Sequence, residues 1–115
     1  MTDDVRAIGQ RMYEAFNTHD FGAAETIFAP DFVSHPLGTT GAESVVRAWT
    51  RFHERFPEVQ VIVEDMLVDG DKAAVRTTLH GLPAGAVEQS PPTMLEIFRV
   101  RDGRIAELWG LSALR

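Results

Sequence analysis

The sequence predicts an α+β domain in which helices cover one face of an antiparallel sheet. Three observations predict it. Apolar residues recur at three- and four-residue steps in the first half of the chain. Beyond Pro57 the period changes to two, and two Asp-Gly turns, Asp69-Gly70 and Asp102-Gly103, separate consecutive extended runs.

The first helix spans Val5 to Phe16, where Val5, Ile8, Met12, Ala15 and Phe16 form an apolar stripe between Arg6, Arg11 and Glu14. Thr2, Asp3 or Asp4 supplies its cap and places negative charge at the positive end of its dipole. Asn17-Thr18-His19-Asp20 breaks the pattern, and Phe21, Ala24, Ile27 and Phe28 predict a second, short helix stopping before Pro30. Asp31 to Pro36 reads as a short extended segment, and Gly38-Thr39-Thr40-Gly41 as a loop. The third helix runs from Ala42 to Arg55, with Val45, Val46, Trp49, Phe52 and Phe56 on one side and Glu43, Arg47, Arg51 and Glu54 on the other. Strands follow at Val59–Val68, Lys72–His80, Thr93–Val100 and Arg104–Leu111, the second and third separated by a Pro- and Gly-bearing loop from Gly81 to Pro92. Val, Ile and Leu occupy both parities of several strands, so a homodimer formed through the uncovered sheet face would bury what the helices leave open.

The chain has 115 residues, which predicts one domain over 1–115. It has no cysteine, which excludes a disulfide framework, a thiol nucleophile and cysteine-ligated metals. Seventeen acidic residues against 11 basic ones, with no lysine-rich run, argue against nucleic acid as a partner. No apolar stretch approaches the roughly 20 residues of a membrane span, and the start lacks a basic leader, so the expected setting is the cytoplasm. The four histidines have no paired metal-ligand spacing, and no phosphate loop, dinucleotide fingerprint or G-x-S-x-G turn is present. No metal and no cofactor are expected.

Strand parity singles out the candidates for chemistry. Glu96 shares a face with Met94, Phe98 and Val100, and a carboxyl among apolar neighbours resists ionisation and suits proton transfer near neutral pH. The structural alternative is an ion pair with Arg76 or a place at a solvent-exposed rim. Arg76 shares a face with Ala74, Thr78 and His80; its guanidinium suits an enolate-like oxygen, and equally a cross-strand ion pair. His35, held extended before Pro36, is suited to positioning a water or a substrate carbonyl, or to a structural hydrogen bond. His53 and His80 are expected to be exposed or capping. Tyr13, Phe16, Trp49, Phe52, Phe56, Met66, Met94 and Phe98 are the large residues available to line a small-molecule cavity, with Thr78 and His80 added as polar substrate contacts; each aromatic is also an ordinary core residue.

The segments Ala29–Pro36, Arg55–Glu58, Val63–Arg76, Pro91–Thr93 and Phe98–Trp109 resemble SnoaL-like polyketide cyclases of the nuclear-transport-factor-2-like superfamily, in order and over nearly the whole chain. The resemblance implies a cone-shaped roll, with N-terminal helices packed in a strongly curved, mostly antiparallel sheet, a pocket in the cone and commonly a homodimer. Such cyclases usually carry Gly-Thr-His where this chain has Gly81-Leu82-Pro83, and glycine where it has Met94. They place an acid/base aspartate directly after the last-strand tryptophan or about four residues on, where this chain has Gly110 and Ala113, and they extend further at the C-terminus. Arg76 and His35 match pocket positions of the superfamily.

Two functions follow. The first is a cofactor-independent cyclase, isomerase or lyase for an apolar, polyketide-like carbonyl compound, with Glu96, Arg76 and His35 as its catalytic set. The second is a non-catalytic pocket protein or dimeric accessory domain that binds an apolar metabolite.

Overall fold

A computed structural model describes residues 2–83 and 91–112. Helix α1 (Thr2–Asn17) is followed by a 3-10 turn (Phe21–Ala23), α2 (Ala24–Ile27), β1 (Phe28–Ser34), β2 (Thr39–Thr40) and α3 (Ala42–Arg55). Four long strands complete it: β3 (Gln60–Asp69), β4 (Lys72–His80), β5 (Thr93–Arg101) and β6 (Arg104–Ser112). They form one curved, unclosed six-stranded sheet in the order β2-β1-β6-β5-β4-β3. All neighbours are antiparallel except β1 and β6, which run parallel. The α+β plan with helices on one face is the observed one.

Local chemistry accounts for the elements. Gly70 turns β3 into β4 at φ +62°, and Asp102 (φ +53°) and Gly103 (φ +77°) together make the two-residue β5–β6 turn, whose paired positive φ values match the right-handed twist of the strands. Gly81 leaves β4 at φ +78°, and a Cβ there would lie 2.0 Å from the Glu58 carbonyl oxygen, so no other residue fits. Residues 84–90 of the expected Gly81–Pro92 loop lie outside the described residues.

The apolar stripe of α1, from Val5 through Ile8, Met12 and Tyr13 to Phe16, is buried against the inner face of the sheet. Gly9 lets the helix approach closely, since a Cβ at that position would sit 2.6 Å from Cζ of the fully buried Phe98. The helix is also tied to the edge strand. The Asn17 amide donates to the Val61 carbonyl at 2.9 Å, and the Val61 N–H donates back to Asn17 Oδ1 at 2.8 Å. β3 has no strand on that side, so Asn17 satisfies backbone groups an edge leaves open. Asp4 lies in the first turn; the side chains of Thr2 and Asp3, the other expected caps, lie outside the described set.

Four local expectations are corrected. The second helix stops before Pro30 as expected, at Ile27, but the extended segment is Phe28–Ser34 rather than Asp31–Pro36, so Pro30 sits inside β1, within the irregular register between Phe28 and Val33 where its missing N–H costs no ladder bond. Thr39-Thr40, expected as loop, pairs with Ser34 and Val33 as β2. The strict alternation expected over Val59–Val68 breaks at a bulge between Val63 and Asp65, so Val61 and Met66 are both buried while Val63 is not. His53, expected to be exposed, is 6% exposed and packed beside Phe16, His19 and Phe21, with neither ring nitrogen hydrogen-bonded among the described residues.

Candidate functional site

Between α1, α3, β1 and the inner face of the sheet lies a cavity of about 570 Å³. Its wall is mostly apolar: Met12, Tyr13 and Phe16 from α1, Phe28 and Phe32 from β1, Trp49 and Phe52 from α3, then Phe56, Leu79, Met94 and Leu108. The aromatics pack edge to face, Phe16 against Trp49 at 5.7 Å and against Phe52 at 5.8 Å, which fixes the shape of the wall. Five residues expected to line a pocket from their size alone, Tyr13, Phe16, Trp49, Phe52 and Phe56, together with Met94, border this cavity. Met66 and Phe98 do not border it. They are buried under Gly9 and belong to the packed core.

Glu96 is the acidic side chain on the cavity wall. The register sets Val75 and Gly110 beside it on the neighbouring strands, and its side chain points inward to α1, where the Tyr13 hydroxyl donates to Oε1 at 2.8 Å. Burial holds the Glu96 carboxyl above its ordinary pKa, and the Tyr13 hydrogen bond pulls back in part. Tyr13 in turn is pushed well above the usual phenol value by burial and then by the Glu96 charge, so it keeps its proton and remains a donor. Gly110 gives the carboxyl its room: a Cβ there would meet Glu96 Cγ at 3.3 Å and lie 3.8 Å from Oε2. Three serine and threonine residues, Ser34, Thr39 and Ser44, border the same cavity; the Ser44 hydroxyl donates to the Gly41 carbonyl, and Thr39 Oγ1 is buried without a hydrogen-bond partner among the described residues.

The expected convergence of Glu96 with Arg76 and His35 is not what the structure places there. Arg76 lies opposite Leu95, one position out of phase with Glu96, and so on the outer face of the sheet. Its guanidinium is committed to Asp65, Nε to Oδ2 at 2.7 Å and a second nitrogen at 2.6 Å. His35 also lies on that outer face, stacked on Trp109 at 4.7 Å and bonded through Nε2 to Glu107 at 2.9 Å. Glu107, held also by Arg99, has its pKa lowered first by the His35 and then by the Arg99 hydrogen bond. Thr78 and His80 share the outer face and bond to each other at 3.0 Å, with Thr78 donating to Glu64 at 2.7 Å; neither borders the cavity. A second, more open depression of about 820 Å³ lies on this outer side among His35, Leu67, Arg76, Leu95, Ile97 and Trp109. Glu96 borders it too, but its carboxyl is turned to Tyr13.

Sequence reasoning missed Ser34, Thr39 and the arginines of α3. Arg47, Arg51 and Arg55 all border the cavity. Their i, i+4, i+8 spacing was visible, yet on an amphipathic helix such a row reads as the solvent side. Among the described residues no group of three or more His, Cys, Asp or Glu is arranged to hold a metal, and no helix is long and apolar enough to cross a membrane.

The family model of the SnoaL-like domain matches residues 10–108. A candidate polyketide cyclase from Bacillus cereus ATCC 10987 superposes with a TM-score of 0.82 at 27% identity, over 95% of this chain and 74% of that one. IdmH, a candidate polyketide cyclase from Streptomyces antibioticus, superposes with a TM-score of 0.78 at 30% identity, over 94% and 91% of the two chains. A candidate ketosteroid isomerase from Kribbella flavida DSM 17836 shares the fold, with a TM-score of 0.75 at 21% identity over 96% and 78%. No functionally curated sequence matches the chain.

Proposed function

This chain belongs to the SnoaL-like domain family, and on that footing we propose that it is a cofactor-independent acid/base enzyme for an apolar, polyketide-like carbonyl compound, with Glu96 as its proton-transfer group. The observation that carries the reading is the part-buried Tyr13–Glu96 pair, set in the mostly apolar wall of a cavity of small-molecule size. Ionised Glu96 removes a proton from the carbon beside a carbonyl, and the C–H electron pair passes to the carbonyl oxygen as an enolate. In a cyclase the enolate carbon attacks a second carbonyl, a C–C bond forms, and the new alkoxide takes the proton back from Glu96. In an isomerase the proton returns to a different carbon. Either sequence is redox-neutral. Tyr13 positions the carboxyl, and the hydroxyls of Ser34 and Thr39 are the donors closest in kind to what the developing oxyanion needs. The likeness to two candidate polyketide cyclases at 27% and 30% identity favours the cyclase form.

The position of Gly110 supports Glu96 further. Resemblance to the family leads one to expect an aspartate either there or at Ala113, and the carboxyl of Gly110's cross-strand partner occupies the adjoining space. Glu96→Gln is expected to lower turnover of polycyclic ketone substrates by roughly 10²–10⁴-fold with the circular dichroism spectrum unchanged. Undiminished turnover would remove Glu96 from the mechanism.

A passive binding pocket is the second reading, favoured by the placement of Arg76 and His35 outside the cavity. It is separated from the first by the pH dependence of ligand affinity: an inflection that Glu96→Gln abolishes supports the enzyme, and a flat profile supports the passive pocket. The open outer face, with Leu67, Leu95, Ile97 and Leu111 all exposed, supports a homodimer assembled sheet to sheet.

A further inference from the structure

The charges around the cavity run against those of the molecule. The chain as a whole carries 17 acidic and 11 basic residues, yet among the described residues the charged side chains bordering the cavity are three arginines and one carboxyl, Glu96. Arg47, Arg51 and Arg55 stand one turn apart along α3, so neighbouring members present guanidinium groups to a common space. Arg55 already packs its guanidinium on the Phe56 ring at 4.7 Å. Arg47 and Arg51 are exposed and have neither a hydrogen bond nor an ion pair among the described residues, although Glu43 and Glu54 lie on the same helix. Elsewhere the exposed arginines 76 and 101 are each matched to an aspartate.

We propose that the ligand of this cavity carries an anionic oxygen group, a carboxylate or a phosphate, held between Arg47 and Arg51 while its apolar body lies against the aromatic wall. The proposal rests on the reading of the cavity as a small-molecule site and narrows its substrate class. A guanidinium offers fixed donors to such oxygens, and two of them one helical turn apart can share one anion. Glu96, when ionised, repels the same group, so the two kinds of charge together orient the ligand: anionic end at α3, reacting carbon at β5.

The test is titration calorimetry of the intact protein with 2-naphthoate, its methyl ester and 2-naphthyl phosphate, repeated on the double variant Arg47→Gln, Arg51→Gln. The naphthoate is expected to bind about fivefold more tightly than the ester in dilute buffer, the scale of two exposed ion pairs. That advantage should shrink in about 0.5 M salt. It should vanish in the double variant while the ester binds as before. The phosphate arm assigns the source of the anion: tighter arginine-dependent binding of the phosphate names a phosphoryl group, and weaker binding names a carboxylate. Equal affinity for naphthoate and ester overturns the proposal and leaves the cavity reading standing. A naphthoate preference that survives in the double variant also overturns it. If neither naphthoate nor ester binds, both readings fall.

Discussion

At the scale of single residues, the pair Tyr13–Glu96 sets stability against chemistry. An unfolded glutamate titrates near about pH 4.3. Burial holds the folded Glu96 higher, so between the two values the folded protein retains a proton that the unfolded chain has lost. Stability therefore falls as pH rises through that window, and the penalty stays in full above it. Glu96→Gln removes the penalty, so its gain in Tm should be larger at pH 8 than at pH 4; equal gains would mean that ionisation of this carboxyl costs the fold nothing. Tyr13→Phe acts in the other direction on the same group. The lost hydrogen bond had favoured the carboxylate, so Glu96 should titrate higher still, and the acid limb of a rate or affinity profile should move to higher pH. A limb that stays in place in Tyr13→Phe would reduce Tyr13 to a packing residue. His53 works with the opposite sign. Burial first, and the neighbouring His19 next, lower its pKa below the usual histidine value, so it contributes a loss of stability as pH falls below about 6.5.

At the scale of elements, the cavity exists because α1 and α3 are held off and against the sheet at defined points. Asn17 is the anchor at one end of α1, and Asn17→Ala leaves the Val61 N–H and carbonyl of a buried edge-strand residue without partners. The expected cost is about 1–3 kcal/mol, measured as a lower urea midpoint with an unchanged slope; a change under about 0.5 kcal/mol would mean that water replaces the amide without penalty. The elements themselves were largely legible. Ala42–Arg55 and Lys72–His80 could be bounded from Gly41, Pro57, Gly70 and the change of period, because those residues punctuate the chain by backbone restriction alone. The bulge after Val63 was not legible, since Val, Ile and Val in succession satisfy either phase. β2 was missed because two threonines between glycines carry no period at all.

At the scale of the whole molecule, the sheet is a partition with a different task on each side. Its inner side carries the cavity and Glu96. Its outer side carries paired charges, Arg76 with Asp65 and Arg99 and His35 with Glu107, around exposed leucines. Leu67 and Leu95 are 70% and 53% exposed; light scattering at micromolar concentration is expected to give a dimer for the parent chain and a monomer for the double variant Leu67→Glu, Leu95→Glu. A parent chain that is itself monomeric would withdraw the sheet-to-sheet interface. This division also explains why about half of the candidate residues lie outside the inner cavity. Parity sorts a strand into two sets, but only the register between strands decides which set meets which. On β4 the apolar set Val75, Thr77, Leu79 turns inward and carries Arg76 out. On β5 both sets are apolar enough to be buried, and Glu96 follows the one that meets α1. Tyr13, Trp49 and Phe52 were found because bulk alone marks a wall. The arginines of α3 were not, because nothing in one helix says that its polar row overhangs a hollow.

Gly110 and Glu96 face each other across β5 and β6, and that adjacency bears on how such chains are compared. Compared position by position with the resemblance, Gly110 stands at one of the two places where an acid/base aspartate is expected, the other being Ala113. Folded, the space adjoining Gly110 holds a carboxyl that arrives from the next strand, with Glu96 Oε2 3.8 Å from where a Cβ at Gly110 would sit. An inventory of conserved columns would therefore file the chain among inactive relatives, whereas an inventory of functional groups by position in space would not, and relatives that pair a glycine at one of these two places with an acid at the other can be sought as a coupled exchange.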